Sequence, residues 1–169
     1  MNTNNIKHYK INPNFITGLT EAEGCFSVSV YSSKTAKFKR KVKLEFTIKM
    51  LNNETELLTM VKSFFNCGIL WHYPKDGTIR FRITDKSSIK KKLIPHFLKY
   101  PLRGTKYLDF IFFIEAFNII ENKEHLTNEG LNTLYNISKT MNKNREFSKE
   151  HYSPEHTKEK KYWLYTYRW

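Results

Sequence analysis

Between Cys25 and Lys49 the sequence alternates twice between apolar and polar residues, which commits the chain to two successive strands that each have one buried and one wet side. In the first, Phe26, Val28 and Val30 alternate with Ser27, Ser29 and Tyr31. In the second, Val42, Leu44, Phe46 and Ile48 alternate with Lys41, Lys43, Glu45, Thr47 and Lys49. Successive side chains of a strand point to opposite faces, so both runs predict strands with one side buried and one side wet. Lys34, Lys37, Lys39 and Arg40 fall in the connection between them.

The flanking segments read as helices and a second strand pair. Pro13 to Gly24 predicts a helix opened by proline and closed by glycine. A helix is expected near Asn53, capped by it and by Glu56 in a capping-box pattern, with Leu57, Leu58, Val61, Phe64 and Phe65 as its apolar face. Residues Asn66 to Gly68 end it. Ile69 to Tyr73 and Thr78 to Thr84 predict a hairpin around Pro74, Asp76 and Gly77, with Ile79, Phe81 and Ile83 inward and Arg80 and Arg82 outward. Asp85 caps a helix expected to run to Tyr100, where Pro101 stops it. Thr105 opens a strongly apolar helix through Ile120, and Thr127 to Met141 is amphipathic through Leu131, Leu134, Ile137 and Met141. The expected fold class is α+β, an αββαββ order followed by helices, with a four-stranded antiparallel sheet backed on one face. A chain of 169 residues supports one main domain, placed at residues 1–145, with a basic, aromatic tail of no clear period at 146–169.

Charge narrows the partners. Lys and Arg number 29 against 16 Asp and Glu, a net charge of +13 suited to a polyanion, above all nucleic acid. No apolar run reaches the length of a membrane span. Cys25 and Cys67 lack metal-ligand spacing and the density of a disulfide framework, so both read as small core residues of a reducing compartment. The N-terminus has neither a secretory apolar stretch nor the Arg and Ser bias of a transit peptide. Lys outnumbers Arg, and Asn, Ile, Phe and Tyr abound, the bias of an AT-rich coding sequence, which suggests synthesis inside an organelle. His72, His96 and His125 read as ordinary polar residues. On the outer sheet face the alternation gathers Ser27, Ser29, Tyr31, Lys41, Lys43, Thr47, Lys49, Arg80 and Arg82, with Glu45 among them. Such residues can neutralise phosphates and reach base edges.

The first helix carries Phe15-Ile16-Thr17-Gly18-Leu19-Thr20-Glu21-Ala22-Glu23-Gly24-Cys25-Phe26. Gly18 and Ala22 lie four residues apart on one helical face, so two such helices can approach closely. Glu23 stands at the helix end, just before the first strand. This segment resembles the LAGLIDADG motif of homing endonucleases. The segments Tyr100 to Phe110 and His125 to Leu131 resemble recurring stretches of the family's fungal mitochondrial branch, and the resemblance covers about residues 13 to 145.

The resemblance implies a saddle-shaped sheet on duplex DNA and hydrolysis of one phosphodiester on each strand with a divalent metal such as Mg²⁺. By match, Glu23 is the metal ligand and catalytic acid, Glu21 the more structural acid, and Lys106 or Arg103 the basic residue that supports the reaction. A lone motif implies a homodimer through Gly18 and Ala22, or pairing with a second LAGLIDADG unit. Mitochondrial residence, or residence in another organelle, follows from the same likeness. One departure stands out: Met50 falls where the family tends to place a polar residue, with Asn52 and Lys49 as neighbouring substitutes. The alternative is a catalytically inactive, RNA-binding descendant, an intron maturase or a mitochondrial ribosome component, using the same saddle and the aromatic tail.

Overall fold

Asn12 sets the first helix: its side chain accepts the Asn14 N–H at 2.8 Å, and Pro13 supplies a fixed φ in the first turn. The computed structural model describes residues 11–142, so the tail at 146–169 lies outside the described residues. Helix α1 (Pro13–Glu23) runs without a connecting loop into strand β1 (Gly24–Ser32), followed by β2 (Arg40–Leu51). Gly24 makes this abrupt change of direction possible. A Cβ there would come within 2.5 Å of Thr20 Cγ2 and 2.7 Å of the Thr20 carbonyl.

Helix α2 (Thr55–Phe65), β3 (Ile69–Tyr73) and β4 (Thr78–Ile83) complete the repeated unit. The four strands form one antiparallel sheet in the order β1-β2-β4-β3, so the two longest strands share one side of it and β1 and β3 are its edges. The expected αββαββ order and one-sided helical cover are both present. The start of α2 differs from expectation. A short 3₁₀ turn, Asn52–Glu54, precedes it, and no side chain caps the helix. Thr55 Oγ1 donates to the Asn52 carbonyl instead, so the capping box on Asn53 and Glu56 does not form.

The segment after β4 also departs from a regular helix. Asp85 caps it as expected, accepting the Ser88 N–H at 2.7 Å, but α3 (Lys86–Ser88) passes through a π turn, Ile89–Leu93, before α4 (Ile94–Lys99). Pro95 explains the widening: it lacks an N–H and its ring crowds the carbonyl four residues earlier, and a wider turn relieves both. Helices α5 (Lys106–Glu121) and α6 (Asn128–Thr140) then pack against β1.

The core lies between sheet and helices. Phe26 is fully buried, with its ring 4.9–5.5 Å from those of Phe46, Phe97, Phe110 and Phe113. All inward positions expected from the alternation of β2 and β4 are buried or half-buried. Cys25 is a correction: it stands on the outer parity of β1, half-buried beside the end of α6, while Cys67 packs against the core. His96 is also more deeply placed than an ordinary polar residue. It is buried among Phe64, Phe65, Phe97 and Tyr100, and this burial lowers its pKa to about 4.

Candidate active site and nucleic-acid interface

Helix α1 has two unlike sides. Ile16, Thr17 and Thr20 are buried against the chain's own core, whereas Phe15, Gly18, Ala22 and Glu23 are exposed. A side chain at Gly18 would meet nothing within 4 Å, so packing within the chain does not demand glycine there. Gly18 and Ala22 lie on this stripe as their spacing implies, and Phe15, 47% exposed and not among the expected interface residues, continues it one turn earlier. Its spacing of three from Gly18 was the available signal.

The two acids near the helix end have different surroundings. Glu21 Oε1 accepts the backbone N–H groups of Arg103 and Gly104 at 2.5 and 2.8 Å, and Thr17 Oγ1 donates to the Tyr100 carbonyl at 2.9 Å. These three bonds fasten α1 to the loop that leads into α5, and two of them are made by Glu21. Glu23, by contrast, forms no hydrogen bond or ion pair with another described residue. Its carboxylate is left to whatever approaches the end of α1.

Lys106 is the first residue of α5, half-buried. A helix N-terminus carries positive partial charge, so a lysine there is placed against the dipole. Asp109 answers it in the same turn and is itself buried. Lys106 is near enough to Cys25 to offset part of the rise that burial causes in the thiol's pKa. Arg103 is exposed in the preceding loop. Met50 has core parity on β2 and packs against the core, so it presents no polar group to the outer face. Lys49 does stand on that face, and exposed Asn52 lies beyond it with Oδ1 3.4 Å from His72 Nδ1.

Strand register brings the expected platform residues into rows. Tyr31 lies opposite Lys41, Ser29 opposite Lys43, and Ser27 opposite Glu45. Thr47 neighbours Arg82 and then Ile69, and Lys49 neighbours Arg80 and then Trp71. Glu45 tempers the charge by pairing with Lys43 at 2.5 Å and Arg82 at 3.6 Å. Three residues of β3 were missed. Trp71 is 56% exposed and Ile69 45%, and the Tyr73 ring lies 4.5 Å from the Arg80 guanidinium carbon, a cation–π contact that orients the arginine. The period-two spacing of Ile69, Trp71 and Tyr73 carried that information.

Among the described residues no group of three or more His, Cys, Asp or Glu side chains is placed to hold a metal ion. No helix among the described residues is long and apolar enough to cross a membrane.

These features define a class: an αββαββ domain that offers one polar sheet face and, beside it, a helix with a small-residue stripe ending in a free carboxylate. The chain belongs to the LAGLIDADG endonuclease family, whose model matches residues 16–117. A curated relative, the probable intron-encoded endonuclease 2 of Neurospora crassa, is 32% identical over 133 residues, which is 78% of this chain and 29% of the relative. The chain thus spans under a third of that protein. The solved homing endonuclease I-TnaI superposes with a TM-score of 0.73 at 29% identity, covering 91% of this chain and 98% of its own. I-SmaMI, solved bound to uncleaved DNA target in the presence of calcium ions, gives a TM-score of 0.77 at 28% identity over 85% of this chain and 48% of its own.

Proposed function

We propose that this chain is one half of a site-specific homing endonuclease that binds duplex DNA on its sheet face and hydrolyses a phosphodiester on each strand. The observation that carries this reading is Glu23, an exposed, unpartnered carboxylate where the α1 stripe meets that face. Burying a charge without a partner is costly, and a carboxylate kept free and exposed can instead serve an incoming ligand.

Glu23 offers the hard oxygen donors that Mg²⁺ prefers, and one carboxylate per chain fits a site completed by a second unit and by phosphate oxygens. When bound, the cation would neutralise charge on the scissile phosphate and acidify a water molecule. The chain's own groups do the rest. Gly18 and Ala22 bring two motif helices together, from a second copy of this chain or from another LAGLIDADG unit. Lys106 supplies positive charge beside the reacting phosphate. Ser27, Ser29, Tyr31, Lys41, Lys43, Thr47, Lys49, Arg80 and Arg82 position the duplex and read it. The relatives named as endonucleases and the neighbour bound to DNA support this over the RNA-binding descendant. The intron-encoded relative also supports synthesis and action within an organelle, for which we propose the mitochondrion.

The test is selection of cleaved sites from a randomised duplex library with Mg²⁺, followed by assay of the selected duplex. Glu23→Gln is expected to abolish cleavage, by at least a hundredfold, while leaving duplex binding within a fewfold. A variant that cuts as fast as the parent would remove Glu23 from the reaction.

A further inference from the structure

Asn142, two residues past the end of α6, makes three bonds that reach two different segments. Its backbone N–H donates to Asp109 Oδ1 at 3.0 Å, its Nδ2 donates to the Phe26 carbonyl at 3.0 Å, and its Oδ1 accepts from the Cys25 thiol at 3.5 Å. Asn142 adopts φ 57°, the left-handed region that asparagine tolerates better than most residues. Asp109 lies three residues after Lys106 on α5, and Cys25 and Phe26 follow Glu23 by two and three residues. Strand β1 is an edge of the sheet, so the Phe26 carbonyl turned away from β2 has no strand to receive it. Asn142 takes that place. Burial of Asp109 makes its bond to Asn142 worth more than an exposed one, because an unmet buried carboxylate oxygen is expensive.

We propose that Asn142, acting with Asp109, is a positioning residue that holds the segment carrying Glu23 and the helix end carrying Lys106 in fixed relation. This rests on the endonuclease reading for its kinetic consequence. The Glu21 bonds to Arg103 and Gly104 fasten the same two segments from the α1 side, so Asn142 supplies the second of two points and limits rotation about the first. Displacement of a reacting group by about 1 Å costs on the order of a hundredfold in rate.

Asn142→Gly is the informative variant, since glycine accepts the same φ and keeps the N–H while losing both side-chain bonds. With the library-selected duplex and Mg²⁺, kcat is expected to fall ten- to a hundredfold with KM unchanged, and amide hydrogen exchange to rise together at residues 24–26 and 106–109. Asp109→Asn, which keeps an acceptor oxygen, should retain kcat within a fewfold, whereas Asp109→Ala should not. Unchanged kcat in Asn142→Gly, or added exchange confined to the end of α6, would overturn the proposal, and equal loss in both Asp109 variants would assign Asp109 to charge instead. Should the parent cut no duplex, the endonuclease reading falls and the exchange pattern alone decides whether Asn142 couples the two segments.

Discussion

His96 shows what a single buried side chain does to the whole. Its ring sits within an aromatic group, with Nε2 3.5 Å from Thr17 Oγ1, and burial holds its pKa at about 4 against 6.5. The folded form resists protonation, so as pH falls below 6.5 the unfolded chain takes up a proton that the folded chain does not, and stability declines until about pH 4. The shift corresponds to on the order of 3 kcal/mol. Urea denaturation at pH 7 and pH 4.5 is expected to show most of that loss in the parent and little of it in His96→Phe, after allowing for any common change from the carboxylates. Because Thr17 belongs to α1, loosening at His96 acts on the helix that carries Glu23. Neither the depth of His96 nor the Asn142 junction was legible in the sequence, since both depend on residues brought together from positions 33 to 117 apart.

Elements whose pattern is local were read correctly for a local reason. The alternation of β1 and β2 and the arginines of β4 fixed which side chains face the core, because slipping a strand by one residue would bury Lys43 and expose Phe46. The turn at α2 and the π turn before Pro95 escaped, since caps and helix widening answer to neighbouring backbone geometry rather than to periodicity. In α1 the local code carries a second message. The buried residues Ile16, Thr17 and Thr20 explain one side, and nothing within the chain explains glycine at 18. Gly18→Leu therefore separates folding from association. Leucine favours helix over glycine by roughly 0.8 kcal/mol, so the melting temperature of the isolated chain is expected to hold or rise. Sedimentation should then show loss of association, and duplex cleavage should fall with it. Association equal to the parent would remove Gly18 from the interface.

At the scale of the molecule, a charge of +13 is not spread over equivalent sites. Lys41 and Lys49 have no acidic partner among the described residues, whereas Lys43 and Arg82 share Glu45, and Lys86 and Lys90 share Glu121, whose carboxyl their hydrogen bonds hold below the usual range. Each lysine that neutralises a phosphate on binding releases about one counterion, which lowers the slope of log K against log salt by about 0.9 when the lysine is removed. Lys41→Ala and Lys49→Ala are expected to flatten that slope by about one each. Lys43→Ala should change it far less, because Glu45 already screens that charge. The reciprocal variant separates this account from a mere count of cations: Glu45→Gln frees Lys43 and Arg82, and should tighten duplex binding and steepen the slope. Titrations of one duplex from low to moderate salt measure all four. Equal slopes for Lys41→Ala and Lys43→Ala would mean that Glu45 releases its partners when DNA binds, and that net charge rather than pairing sets the interaction.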